Sequence, residues 1–328
     1  MKNIVIIGGG TGTFTLLSGL RKFPTNNSVI VSSADDGGST GRLRKDLDVF
    51  PPGDLRQCLV GLSYTEEHLK ELFNFRFDRG ELKGHTAGNI IMAALEKITG
   101  SVDEALVLAA KILNVRGAVV PVTLKPTLLT AILANGRKII GEHNIDEPPS
   151  PGGGRKGGGG ARIKDLQLKP NGPANPRAVQ ILKNSDVIVF GPGDLFTSIL
   201  PNLLAKGIRE SIDSSRAKKV LVVSLMTKRG QTDGFSAADF ATELNRHLGK
   251  KKLDAVIVNT KKPDAKVLAK YKKTGAEFVE PARSLPKAEV IAADLLSHHI
   301  HQKINGDKLQ RSILRHDSDK LARLIYEL

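Results

Sequence analysis

Four short segments of the 328-residue chain combine glycines, carboxylates and hydroxyls at spacings suited to a phosphorylated ligand. The first, "GGGTGT" at residues 8–13, supplies Gly8, Gly9, Gly10, Thr11 and Gly12. Glycines let backbone N–H groups approach a phosphate, which then rests on the N-terminus of the helix that follows. The dinucleotide pattern G-x-G-x-x-G is not met, because Thr13 fills its last place, and no Gly-Lys-Ser/Thr of a P-loop follows. The chemistry indicated is a phosphate or diphosphate cradle of another kind, with a bare strand–helix turn as the alternative. The second segment, "GPGDLFTSILPNLL" at 191–204, repeats the device. Gly191 and Gly193 precede a helix start where Asp194 reads as a plain N-cap and Thr197 offers a free hydroxyl. Two such starts suit a diphosphate or two separated anionic groups.

The third segment, "SADDGGSTGRLR" at 33–44, is almost without apolar residues. Unpaired buried charges cost too much for it to fill a core, so it reads as a solvated or ligand-binding loop. Asp35 or Asp36 falls about 20 residues beyond the first glycines, where a carboxylate can take ribose hydroxyls. Mg²⁺ binding, with phosphates as the other ligands, is a second reading. Arg42 and Arg44 could clamp phosphate, while an ordinary surface turn would share the Asp and Gly content. The fourth, "PPGDLRQCL" at 51–59, puts Asp54 and Arg56 at a helix start, where capping alone could account for Asp54. Beyond these, "LKGHTAGN" sets His85 and Asn89 beside glycines, so His85 is an acid–base candidate weighed against a structural role. "SHHIH" at 297–301 lacks a carboxylate or Cys partner and reads as an exposed helix face. Cys58 sits in an apolar helical pattern and reads as core. No nucleophile elbow and no zinc spacing appear.

The elements that must position these groups follow from hydrophobic periodicity. "NIVIIGGG" is a β-branched run ending in glycines, "TFTLLSGLRKF" has helical spacing, and "SVIVSSADD" is a second short strand. Residues 54–113 read as helices, and Ser101 and Glu104 have capping-box spacing. "GAVVPVT" and "LLTAILANGRKIIGE" read as β-structure with Asn135-Gly136 as a hairpin turn. Residues 148–162 are Gly-rich and expected to be flexible. Strands "DVIVFG", "KKVLVVSLM" and "DAVIVNT" then alternate with helices, and "SDKLARLIYEL" forms a last helix. Strands alternating with helices predict an α/β fold with a mainly parallel, doubly wound sheet. Ligands of such sheets bind outside the carboxyl ends of the strands. That rule places on one rim both glycine turns, the Asp-rich segment and Asn259.

Composition narrows the class. A single Cys excludes an intrachain disulfide and fits a reducing compartment. The apolar run at the start is too short for a signal peptide, and no stretch approaches the ~18 apolar residues of a membrane span. A cytoplasmic protein with no membrane insertion is expected. The formal charge of +15 suits an anionic ligand, and a basic rim is expected to receive it. The lysines are scattered and aromatics are only 4% of residues, which argues against nucleic acid.

Taken together, "GGGTG", "ADDGGSTGRLR", "PPGDLRQCL", "LKGHTAGN", "VFGPGDLFTSILPNLL", the "LMT" and "TDG" of 225–234, and "RHDSDKLA" resemble the gluconeogenesis factor family (YvcK-like). That family is related to the CofD-like 2-phospho-L-lactate transferases. The match runs in order over nearly the whole chain. It implies one Rossmann-like domain over 1–328, with a helical insertion at about 54–113 and a β-hairpin excursion. It implies a cytoplasmic protein that binds a UDP-sugar, notably UDP-N-acetylglucosamine, and serves gluconeogenic growth, cell shape and wall synthesis. By motif position, Gly8–Gly12 and Gly191–Gly193 would hold the diphosphate, and Asp36, Asn259 and Arg315 would be further contacts. In the transferase relatives, carboxylates at positions like Asp36 and Asp54 bind a metal. The alternative is therefore a Mg²⁺-dependent phosphoryl or nucleotidyl transferase of the 2-phospholactate type, using Asp36, Asp54 and His85. Homodimer formation and cell-wall or metabolic protein partners stay open. The chain departs from the pattern at "SLMTKRGQTDG", where Ser224, Lys228, Arg229 and Gln231 replace the usual residues, a change from acidic to basic that could alter sugar preference.

Overall fold

A computed structural model describes residues 1–147, 161–299 and 312–328. The strands are β1 (Lys2–Ile7), β2 (Thr25–Val31), β3 (Ala118–Pro121), β4 (Leu128–Leu133), β5 (Lys138–Ile140), β6 (Ile163–Lys169), β7 (Val187–Phe190), β8 (Lys218–Val222), β9 (Ala255–Asn259) and β10 (Glu289–Ala293). The helices are α1 (Gly10–Leu20), α2 (Gly38–Leu47), α3 (Gly53–Leu62), α4 (Glu67–Asn74), α5 (Ala87–Thr99), α6 (Val102–Ile112), α7 (Glu142–Asp146), α8 (Pro176–Lys183), α9 (Leu200–Leu203), α10 (Ile208–Ser214), α11 (Ala237–His247), α12 (Ala265–Thr274) and α13 (Ser318–Glu327).

Seven strands form one parallel sheet in the order β10-β9-β8-β7-β1-β2-β3. The order runs outward in both directions from the β1–β7 pair, so the topological switch point lies between those two strands. Alternate residues of β1 serve opposite layers, which is why its apolar run is continuous. Ile4 and Ile6 pack with Leu16, Leu17 and Leu20 of α1, whereas Val5 and Ile7 pack with Leu195, Phe196 and Ile199 beyond β7. A second, antiparallel sheet, β5-β4-β6, contributes Leu129, Ala131 and Leu166 to that latter layer. Its β4–β5 hairpin closes with Leu133 N–H on the Arg137 carbonyl at 2.8 Å, bracketing Asn135-Gly136 as predicted.

Several expectations are corrected. The segment 33–44 is a loop only to Gly37; from Gly38 it is α2, although its composition is poor for a helix. Tertiary burial of Ser39, Thr40 and Leu43 outweighs that weak propensity. The single helix expected from 194 is broken into one π-helical turn, Leu195–Ile199, then α9 and α10. Pro201 lacks the N–H that would extend an α-helical ladder back to Thr197, and the turn widens instead. "RIKDLQLKP" is a strand, β6, and β10 extends the parallel sheet beyond β9. Ser297–His299 are not helical, though His298 and His299 are exposed. His301, and residues 148–160 of the Gly-rich stretch, lie outside the described residues. Ser101 accepts from the Glu104 N–H, as its spacing predicts. No helix among the described residues is long and apolar enough to cross a membrane.

Candidate functional site at the carboxyl rim

The two glycine turns leave β1 and β7 side by side at the switch point and pack onto one another. Gly191 N–H donates to the Ile7 carbonyl at 2.9 Å, and Thr13 Oγ1 reaches the Pro192 carbonyl at 3.4 Å. A Cβ on Gly12 would stand 2.4 Å from the Pro192 carbonyl oxygen, a distance no side-chain carbon tolerates. Glycine is therefore required at 12 for the turns to meet. Together Gly8, Gly9, Gly10, Thr11, Gly12, Gly191 and Gly193 form one backbone-lined cradle at the N-terminus of α1. Gly9 faces Asp54 at the start of α3: a Cβ there would lie 2.1 Å from the Asp54 carboxylate. Asp54 is thus aimed at the cradle, and the capping explanation does not exhaust its role.

Around Asp54 the rim is acidic, which overturns the expected basic rim. Asp35, in the loop after β2, accepts from the Gly37 N–H at 3.0 Å, and burial pushes its carboxyl pKa up. Asp36 accepts from the His143 N–H at 2.8 Å and so ties the rim to the first turn of α7. From α7, the half-buried Glu142 is held well above the usual carboxylate range, first by desolvation and then by Asp35, Asp146, Asp54 and Asp36. The arginines expected to clamp phosphate are bound to backbone carbonyls, Arg42 to Lys83 and Arg44 to Thr127, each at 2.8 Å.

The cation at this rim is Lys228, from the loop after β8. Its ammonium lies between Asp146, at 2.7 Å, and Asp194. The two carboxylates raise its pKa against the opposing effect of burial. Asp146 also accepts from Thr197 Oγ1 and Gln231 Nε2, each at 2.8 Å. Two expectations fall here. Thr197 does not offer a free hydroxyl, and Asp194, although at the N-cap position, makes no side-chain cap bond because Lys228 takes its carboxylate. Sequence reasoning missed Glu142 and Asp146, which stand outside any glycine motif; their four-residue separation on one short segment was the available signal.

His85 belongs to a buried chain. Arg56 Nε donates to Asn89 Oδ1 at 2.8 Å, Asn89 Nδ2 to Ser39 Oγ at 3.2 Å, and Ser39 lies 3.0 Å from His85 Nδ1. Ser39 Oγ accepts from Asn89 and shares a second hydrogen bond with His85 Nδ1, in which the imidazole tautomer sets which of the two donates. Burial, followed by Arg42, lowers the His85 pKa. Asn259 is spent on structure: Oδ1 accepts from the Lys261 and Leu295 N–H groups at 3.2 and 3.0 Å. Arg315 is tied to the segment after β10, its carbonyl accepting from the Ser297 N–H at 3.0 Å.

Among the described residues no group of three or more His, Cys, Asp and Glu is placed to hold a metal ion unaided. The donor chemistry fits Mg²⁺ in its usual manner, with one or two carboxylates and the rest of the shell from phosphates and water. Asp54 is placed for that. Asp36, occupied by His143, is less so.

The chain matches the family model of 2-phospho-L-lactate transferase CofD over residues 4–296. It is 39% identical to the gluconeogenesis factor of Halalkalibacterium halodurans, covering 99% of this chain and 96% of that protein. It is 38% identical to the gluconeogenesis factor of Bacillus subtilis, covering 99% and 97%. A crystal structure of a Bacillus halodurans protein superposes with a TM-score of 0.87 at 36% identity, covering 99% of both chains. The chain belongs to the CofD family, among its gluconeogenesis factors.

Proposed function

We propose that this gluconeogenesis factor binds a nucleotide-diphosphate sugar of the UDP-N-acetylglucosamine type at the carboxyl rim. The bound state is then read by cell-wall or metabolic protein partners in the cytoplasm, in support of gluconeogenic growth, cell shape and wall synthesis. The observation that carries this reading is the closure of the two glycine turns into one cradle at the switch point. Two glycine turns side by side can offer backbone N–H groups to two phosphates rather than one.

Charge decides how such a ligand would arrive. Two like unit charges 4 Å apart near a protein surface repel by about 4 kcal/mol. A diphosphate beside Asp54 therefore needs a counter-charge, and Mg²⁺ held by Asp54 would supply it by neutralising the phosphate oxygens. Burial and the neighbouring carboxylates push the Asp35 and Glu142 pKa values up, so negative charge at this rim is costly and a cation or a bound metal would be favoured there. The same carboxylates support a second reading, a Mg²⁺-dependent transferase of the 2-phospholactate type, in which His85 would orient or protonate a leaving group.

Thermal unfolding with UDP-N-acetylglucosamine, UDP-glucose, UMP, GTP and GDP, each with and without Mg²⁺, separates the two. A ligand at a hundred times its dissociation constant adds about 2.7 kcal/mol, which for a chain of this size raises the midpoint by about 4 °C. UDP-sugars are expected to produce that shift, more strongly with Mg²⁺. A shift with guanine nucleotides alone would replace the binding protein with the transferase.

A further inference from the structure

The amino end of the sheet carries a cleft of opposite character. The turn after α1 (Arg21, Lys22), Tyr64 beyond the end of α3 and the approach to β3 (Arg116, Gly117) converge there on the starts of β1 and β2. They enclose about 660 Å³. A second hollow of about 490 Å³ between α6 and β3 meets it at Gly117 and adds Lys111 and Arg177. No Asp or Glu lines either space. The cations are not all spent: Lys22 shares Asp319 at 2.6 Å on an exposed face, and Arg177 stands 3.9 Å from Asp103, while no ion pair engages Arg116 or Lys111 among the described residues.

The cleft also holds a fixed flat surface. The Arg116 guanidinium lies over the Tyr64 ring, 4.8 Å from its centroid, and the Tyr64 hydroxyl donates to the Arg21 carbonyl. Arg21 is itself held by a 2.6 Å bond from Nη1 to the Ser63 carbonyl. Tyr64 stays 39% exposed despite these ties, so the platform is oriented yet open to a ligand. Guanidinium and phenol faces stack nucleobases with little preference among them. Arg116 and Lys111, which no ion pair engages among the described residues, favour phosphate.

We propose that this cleft is a second ligand site, for a nucleoside phosphate, with the base on the Arg116–Tyr64 platform and the phosphate among Lys22, Lys111 and Arg116. The six residues of β1 separate it from the glycine cradle by about 20 Å, so both sites can be filled at once. Occupancy here gives the fold a way to sense a nucleotide apart from the rim ligand.

Photolabelling by 8-azidoadenosine 5′-monophosphate, with the labelled peptides mapped by mass spectrometry, tests this on the whole protein. The label is expected on peptides carrying residues 21–26, 64 or 111–117. Excess AMP should compete it away, and saturating UDP-N-acetylglucosamine should leave it undiminished. Arg116→Gln, on an exposed side chain, should reduce labelling at least tenfold at an unchanged unfolding midpoint, and Lys111→Gln should reduce it less. Labelling confined to residues 8–13 or 191–198, labelling equal in wild type and Arg116→Gln, or none that AMP competes would overturn the proposal.

Discussion

Replacing Lys228 by Met tests whether the rim is held together by one half-buried cation. The substitution keeps most of the apolar stem and removes the ammonium from between Asp146 and Asp194. Asp146 keeps Thr197 and Gln231 as donors, whereas Asp194 loses the ion pair that draws it away from capping. Exposed pairs are worth about 0–1 kcal/mol, and breaking a fully buried one costs about 3–5. The three side chains retain 28%, 29% and 40% exposure, so the cost falls between these limits, at about 2–3 kcal/mol. With an unfolding entropy of about 2.1 cal/mol/K per residue, the midpoint should drop by about 3–4 °C. Calorimetry at pH 7 measures this directly. Replacing Asp146 and Asp194 by Asn in the same chain should return the midpoint to within about 1 °C of wild type, because no unpaired charge then remains. The reasoning fails if Lys228→Met alone shifts the midpoint by less than about 1 °C, or if the triple variant is no more stable than the single one.

Three further outcomes follow from the same geometry. Gly12→Ala drives a Cβ against the Pro192 backbone and should cost about 1–3 kcal/mol while abolishing the midpoint shift given by UDP-sugars; a retained shift would separate the turns from ligand binding. Glu142→Gln should stabilise the protein at pH 8 and not at pH 4. A carboxyl with a raised folded pKa makes stability fall as pH rises above its ordinary value, and a neutral amide removes that loss, as pH-dependent melting would record. His316 is buried with its folded pKa lowered to about 4. Its contribution is intact above pH 6.5 and is lost as pH falls towards 4, by about 3 kcal/mol in all. Denaturant titrations of His316→Gln should show a shallower acid limb, and an unaltered limb would place the acid sensitivity elsewhere.

The parallel strands were readable because burial on both faces leaves an unbroken β-branched run, as in "VIVF" and "AVIV". Their glycine endings located the switch point for the same reason: turn and helix start are local events. What escaped is long-range. The helix α2 exists because Ser39, Thr40 and Leu43 find partners on other elements, and no helical pattern announces it. Thr197 looks like a free rim hydroxyl and Asp194 like a plain N-cap until Asp146 and Lys228 arrive from positions 51 and 34 residues away in sequence. Glu142 and Asp146 share one face of a short helical segment, as their four-residue separation allows, but they reach the rim only because the antiparallel sheet sets α7 there. Asn259 was correctly placed on the rim, yet its amide is used to hold the loop after β9.

The sign of the rim charge is the most consequential of these differences. A net charge of +15 says that the whole surface attracts anions, but the charge is divided by location. Carboxylates gather at the carboxyl end of the sheet, and arginines and lysines without carboxylates line the cleft at the amino end. Salt then acts in opposite directions at the two places. Screening over a Debye length of about 8 Å at physiological ionic strength weakens the attraction of a nucleoside phosphate to the cleft. At the rim, the same screening relieves repulsion between a diphosphate and Asp54, so metal-free binding there should tighten as salt rises from about 0.01 to 0.15 M. An anion whose affinity improves with salt and is enhanced by Mg²⁺ is bound at the acidic end. One whose affinity declines with salt and is indifferent to Mg²⁺ is bound at the basic end.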